Sequence, residues 1–274
     1  MELHCSTLIL NPTEDGVSRV TKKIAYEQPL NERIRTFMRL EFLLQQIQAN
    51  LDGQRMWDAR ASLQSILDIQ SVFSRADIKT ELIKELERLG AVLERLAENP
   101  NVDAHKLTEV LADIDLYTDR LHSLPGPIGQ ELKDNELLGA IRQRSTIPGG
   151  ACQFDLPGFH FWLEQPSERR HSDLLDWFRL FETPMLAAQL ILRMIRDSAP
   201  VTDVIALEGF FQQNLDPTTP SQLVRVIVPA TCPYYAEVSA GKHRFAVRFM
   251  TLRMNERDIP ARETVAFQLT CATI

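Results

Sequence analysis

Acid, base and nucleophile chemistry needs histidine, cysteine and carboxylate side chains within reach of one another, and His160, His243, Cys152 and Asp155 are this sequence's candidates for it. Six histidines and 37 carboxylates generate such groupings freely, so hydrogen-bonded or surface histidines are the simpler reading. No GxGxxG or GxSxG is present, and Ile147-Pro148-Gly149-Gly150 lacks the Lys and the Ser or Thr of a phosphate-binding loop. Cys5, Cys152, Cys232 and Cys271 form no CxxC pair and have no histidine at metal-ligand spacing, so no metal, cofactor or disulfide framework is expected. The expectation is a protein that is not an enzyme.

A different kind of chemistry is written into residues 241–250, Gly-Lys-His-Arg-Phe-Ala-Val-Arg-Phe-Met. Side chains alternate across a strand, which sends Phe245, Val247 and Phe249 to one face and Lys242, Arg244 and Arg248 to the other. The first face asks for a core and the second for something negative. Sheet-based RNA binders stack bases on exposed aromatics beside basic groups. Here the phenylalanines lie opposite the arginines, so they read as core, and a nucleic-acid partner is not expected. An acidic peptide held by arginine forks fits the cationic face, with His160 and Trp162 as neighbours. A solvated guard on an edge strand fits it as well, and spacing leaves both open. Arg33, Arg35 and Arg39, and Arg142 and Arg144, read as ordinary helix-surface charge.

The surroundings make that stripe unusual. The chain of 274 residues carries a net charge of −7, which gives it no general affinity for phosphate backbones or anionic lipid. Within residues 221–253, however, Arg225, Lys242, Arg244, Arg248 and Arg253 stand against Glu237 alone, a local excess of four positive charges. An apolar fraction of 44% and a charged fraction of 24% are those of a globular protein with a sizeable core. No run approaches the ~18 apolar residues of a membrane span, and Glu2 stands where a signal peptide would carry positive charge. A cytoplasmic protein with reduced thiols and no membrane insertion is expected.

The elements that must position these residues are mostly helical at first. Residues 1–23 lack periodicity and read as a flexible extension, and Ile24-Ala25-Tyr26-Glu27 as a short strand. Leu30, Ile34, Phe37, Leu40, Leu44 and Ile47 then recur at threes and fours, with Asn31 as the cap. A second helix spans 56–73. A third follows Asp77 and ends at Asn99-Pro100, and a fourth follows Asp103 as its antiparallel partner. Pro125 and Pro127 break the pattern, a helix over 134–144 follows, and Ile147-Pro148-Gly149-Gly150 is a turn. Phe159, Phe161 and Leu163 alternate with His160, Trp162 and Glu164 as in a strand. Ser167 caps one helix, and Thr183 with Pro184 opens another. Strands are expected over 203–213, 223–228, 242–253 and 264–271. The fold class is α+β: a helical bundle over 24–146, then an antiparallel β-rich domain over 147–274 with a helical pair near 167–198.

Several separated runs have a further likeness. Pro29-Leu30-Asn31-Glu32-Arg33-Ile34-Arg35-Thr36, Thr80-Glu81-Leu82-Ile83-Lys84-Glu85-Leu86, Arg142-Gln143-Arg144-Ser145-Thr146-Ile147-Pro148-Gly149-Gly150 and Phe154-Asp155-Leu156-Pro157 resemble, in order, the ZapD family of bacterial cell-division proteins. Gly209-Phe210-Phe211-Gln212-Gln213-Asn214 and residues 243–249 agree. The extension before Ile24 is longer than usual for the family, and Lys133-Asp134-Asn135-Glu136 is more acidic. The resemblance implies a non-enzymatic homodimer at the midcell division site. Such a protein binds the carboxy-terminal tail of FtsZ and cross-links its protofilaments into bundles, supporting the Z-ring. It also implies partner-binding roles for His160, Lys242, Arg244 and Arg248, with Arg142 and Arg39 beside them. Outside that resemblance, an adaptor for another acidic partner is the alternative, and a sheet-based RNA binder a more distant one.

Overall fold

The computed structural model of the chain describes residues 22–75, 77–97 and 102–273. The expected extension, apart from residues 22 and 23, and the expected stop at Asn99-Pro100 lie outside them, as does Cys5.

Local capping chemistry starts the helices where the sequence asks for it. After β1 (Lys23–Pro29), the Asn31 side chain accepts the Ile34 N–H at 2.9 Å and opens α1 (Glu32–Asn50). α2 (Met56–Arg75) returns antiparallel along it. Asp77 accepts the Thr80 N–H to open α3 (Ile78–Leu96), and Asp103 accepts from His105 and Lys106 to open α4 (Ala104–Ser123). The short α5 (Gln130–Asp134) leads to α6 (Glu136–Arg144), capped by Asn135. Gly149 then takes a φ of +71°, and a Cβ on Gly150 would come within 2.6 Å of the Arg144 carbonyl, so the turn needs both glycines.

The expected strand at 159–163 is instead α7 (Pro157–Leu163). Pro157 is pre-organised for a first helical position, and Phe159, Trp162 and Leu163, spaced by three and one, bury together while Phe161 faces out. Two helix starts also differ from expectation. α8 (Ser167–Arg179) has no side-chain cap; Ser167 is already helical and its hydroxyl donates to the neighbouring Glu168 carboxylate at 3.2 Å. α9 (Glu182–Asp197) begins one residue before Thr183, and Pro184 is tolerated because first-turn N–H groups have no partner within the helix. α9 buries Met185, Ala187, Ala188, Leu190, Ile191, Leu192 and Ile195 against α1, α3 and α4. It is the axis of a single helical core that takes in helices from both sides of residue 147.

The remaining strands are antiparallel and form a sandwich. β2 (Thr202–Ala206), β4 (Leu223–Pro229) and β8 (Val265–Ala272) join β1 in one sheet, in the order β1-β4-β8-β2. β3 (Phe210–Asn214), β5 (Tyr235–Ala240) and β6 (Arg244–Thr251) form the other, in the order β3-β6-β5, with β7 (Ile259–Pro260) pairing the end of β6. The single strand expected over 203–213 is thus two. Glu208 and Gly209 have φ of +50° and +67°, the paired positive values of a type I′ turn, and Leu207 bridges to Phe210 across it. The two strands then diverge into different sheets. β5 was not expected.

Phe245, Val247 and Phe249 point into the sandwich as the alternation predicts, at 1%, 0% and 0% exposure. Phe249 lies 5.3 Å from Phe267 between ring centres, and Phe211 meets Phe267 edge-on at 5.6 Å. Sandwich and helical body join where Leu223 and Ala272, at the ends of β4 and β8, enter the helical core. Beside them the fully buried Glu85 of α3 faces Arg33 of α1 at 3.2 Å, takes the Arg88 Nε–H at 3.1 Å and the Gln222 amide at 3.2 Å. The fold class is α+β, as expected.

Phe245→Ala removes a ring with almost no exposure and is expected to lower stability by about 3–5 kcal/mol, read from the urea midpoint at unchanged slope. A second expectation concerns the loop between β6 and β7. The Tyr235 hydroxyl donates to Asp258 at 2.6 Å, and Asp258 also accepts the Arg253 N–H. That bond pushes the Tyr235 phenol from 10.0 up to about 12 and holds the Asp258 carboxyl below its ordinary value. The native state favours the neutral phenol and the ionised carboxylate, so this anchor is complete from neutral pH up to 10.0, is lost as the pH rises through about 12, and weakens in acid as Asp258 protonates. A spectrophotometric titration is expected to show a phenol ionising near 12 that Tyr235→Phe removes.

Candidate functional site

β6 runs through the middle of its sheet, between β3 and β5, so its cations do not guard an edge. With the phenylalanines committed to the core, Arg244 and Arg248 are turned outward and exposed, and Lys242 precedes them in the exposed turn that Gly241 closes by donating its N–H to the Arg244 carbonyl. The register fills in the rest of the face: Asn214 lies across from Arg244, Gln212 and Ser239 flank Ala246, and Phe210 and Glu237 flank Arg248. The Arg248 guanidinium carbon stands 5.9 Å from the centre of the Phe210 ring, at the outer range of a cation–π contact. Glu237 is opposite Arg248 in register but makes no ion pair with it. Among the described residues, none of Lys242, Arg244 and Arg248 has a carboxylate within ion-pair distance.

The local positive excess is smaller than the sequence count suggests. Arg225 Nε lies 2.7 Å from Glu27, and Arg253 pairs with Glu256 at 2.5 Å. Of those five cations, the three on the β6 stripe have no ion-pair partner among the described residues.

The other sequence-predicted residues lie on the helical body. His160 is exposed on α7, lining a groove of about 500 Å³ with Met56, Trp57, Arg60 and Phe154. Arg142, on α6, is half-buried and donates to Gln70 Oε1 at 2.7 Å. Arg39 is exposed on α1. Trp162, expected beside the stripe, is instead core: its indole N–H donates to Asp173 at 2.9 Å and its ring stacks on Phe159. The structure therefore brings Lys242, Arg244 and Arg248 together and leaves His160, Arg142 and Arg39 apart from them. Arg33 is not ordinary surface charge, since it faces the buried Glu85. Asp155 is engaged by Arg144 at 3.4 Å, and His243 sits on the sandwich, away from Cys152 and His160 on the helical body. Among the described residues, no group of three or more His, Cys, Asp or Glu is placed to hold a metal ion, and no helix is long and apolar enough to cross a membrane.

Sequence reasoning missed the polar joint that sets the sandwich against the helices. Arg196 of α9 donates to both Glu27 oxygens at 2.9 and 2.8 Å and to both Glu41 oxygens at 2.6 Å, and Arg225 closes the group from β4. These bonds, Glu41 first, raise the already high pKa of Arg196 against the opposing effect of burial. No signal local in sequence could have found the group; Glu27 and Arg225 meet only because β1 pairs with β4 in that register.

Comparison with known proteins supplies the class. Relatives named as cell division proteins align along nearly the whole chain, and this protein has a role in cell division. Cell division protein ZapD of Methylococcus capsulatus is 46% identical over 248 residues, covering 90% of this chain and 97% of its own. Those of Coxiella burnetii and Yersinia pseudotuberculosis are each 36% identical, covering 93% of this chain and 100% of theirs. The family described as ZapD, cell division protein, matches residues 38–248. The chain belongs to the ZapD family.

Arg196→Met would leave Glu27 with Arg225 alone and Glu41 without its arginine, both carboxylates largely out of water. An expected loss on the order of 3 kcal/mol is measurable by urea denaturation, with Arg196→Lys recovering only part because an ammonium lacks the fork.

Proposed function

We propose that this protein promotes Z-ring assembly by binding the acidic carboxy-terminal tail of FtsZ on the outward face of β6 and cross-linking protofilaments as a homodimer at midcell. The observation that carries the reading is the trio Lys242, Arg244 and Arg248, three exposed cations without ion-pair partners among the described residues, the arginines on a strand whose central place leaves no edge to protect and the lysine in the turn before it. Family membership gives the biological setting, cell division. Arginine forks on a sheet face take carboxylates through charge-assisted hydrogen bonds. The apolar side chains a second copy would cover are the exposed Trp57, Phe154 and Phe161, large aromatics on that body. A two-fold dimer presents each tail site twice, so contacts that are weak singly add up along a filament through effective concentration.

Reversing both arginines, Arg244→Glu with Arg248→Glu, removes two charge-assisted contacts and is expected to weaken binding of an FtsZ tail peptide about a hundredfold. Circular dichroism and dimer mass should be unchanged. A scrambled peptide and an RNA oligomer serve as controls; unimpaired tail binding by the double variant would move the site elsewhere. Co-sedimentation of FtsZ bundles should fall with added salt, because exposed charge pairs are screened over ~8–10 Å at physiological ionic strength.

A further inference from the structure

Two cavities meet on the helical body around Arg60 of α2, away from the sandwich. The smaller, about 220 Å³, lies against the turn Ile147-Pro148-Gly149-Gly150; the larger is the groove of about 500 Å³ that His160 lines. Arg60, Gly149 and Ala151 line both. The Arg60 guanidinium carbon stands 5.5 Å from the centre of the Trp57 ring and 5.6 Å from that of Phe159, so two aromatic rings hold it in place. It is half-buried, and among the described residues it has neither an ion-pair partner nor a hydrogen-bond acceptor.

The backbone of the turn has donors to spare at the same point. Ile147 donates its N–H to Arg144, Gly150 to Ile147 and Cys152 to Gly149. The N–H groups of Gly149 and Ala151, between them, donate to no acceptor among the described residues. Gly149 has a φ of +71°, and N–H groups gathered around a left-handed residue form a concavity that suits anions. The electrostatics agree. In a chain of net charge −7, no Asp or Glu lines either cavity. The carboxylates adjoining them in sequence, Asp58 and Asp155, are engaged by Arg55 at 2.9 Å and Arg144 at 3.4 Å. Trp57 and Phe154, at 63% and 81% exposure, wall the larger groove.

We propose that these joined cavities bind a nucleotide, with its phosphate at Arg60 and the Gly149 and Ala151 amides and its base against the rings of Trp57 and Phe154. The turn lacks the lysine and the hydroxyl of a phosphate-binding loop; the cation comes instead from a neighbouring helix. An arginine fork takes phosphate through two charge-assisted bonds, and its aromatic flanks keep it pre-organised for them. Every base has a π-face to offer an exposed ring, so stacking accepts purines of either kind. A groove of about 500 Å³ is ample for a base and its sugar. Neither Trp57 nor Phe154 lines the smaller cavity, so a second copy covering those rings would leave the anion end as it is.

The test is a fluorescence titration of the full chain with AMP, GMP, adenosine and inorganic phosphate, together with backbone amide shifts of the isotopically labelled protein. Trp57 is the exposed one of the three tryptophans and reports stacking. Expected are saturable quenching by both nucleotides that Trp57→Phe removes, and binding at least about tenfold weaker for adenosine and for phosphate. Arg60→Met, which keeps the apolar stem without the charge, should lose a similar factor at unchanged circular dichroism. The Gly149 and Ala151 amides should move as AMP is added. Adenosine or phosphate binding as tightly as AMP overturns the proposal, as do unmoved Gly149 and Ala151 amides at saturating AMP. No saturable nucleotide binding at millimolar concentration overturns it as well. The amide shifts are read on the unmodified protein, so they decide the matter even where Arg60→Met fails to fold.

Discussion

A carboxylate with none of its surface in water has to be answered from inside the protein, and Glu85 is answered from three elements at once. Arg33 comes from α1, Arg88 from the next turn of α3, and Gln222 from the residue before β4. Gln222 is also held by its backbone, accepting from Leu30 at 2.9 Å and donating to Ala272 at 2.7 Å. Satisfying one helical side chain therefore fixes where β1 leaves, where β4 enters and where β8 ends. The second polar group, around Arg196, repeats the device further along the joint with two arginines and two glutamates. The tilt of the sandwich on the helical body is thus set by hydrogen-bond geometry, which is directional, more than by apolar area, which is not.

Legibility in the sequence followed the range of the interaction. Caps at Asn31, Asp77 and Asp103 act over two or three residues, and those helices were readable. The inward and outward halves of β6 were readable because strand alternation is a period of two with no outside help. The helix at Pro157–Leu163 was misread because seven residues hold barely two turns, too few for a 3.6-residue period to separate from alternation, and the proline at its start was the better guide. The turn at Glu208-Gly209 hid inside an apolar run because its glutamate takes a positive φ that glutamates rarely adopt. Arg225 and Arg253 were counted as free charge because their partners, Glu27 and Glu256, are set by pairing and loop closure.

The same logic separates the β6 stripe from the other basic side chains singled out in the sequence. Lys242, Arg244 and Arg248 share one strand and were found together by spacing. His160, Arg142 and Arg39 sit on three helices whose relative placement only packing decides.

The pairing of β1 with β4 brings Lys23 against Pro229 and Pro29 against Leu223. The first strand made is therefore among the last to find its neighbour, and the whole helical body is the loop that must close between them. Contacts so distant along the chain are slow to form because their entropic penalty is met before any of their bonds exist. Until the carboxy-terminal strands emerge, β1 has no ladder, Glu85 lacks Gln222, and the helical core lacks Leu223 and Ala272. A nascent chain interrupted before β4 is not a smaller working protein but an unfinished one with a charge buried out of balance.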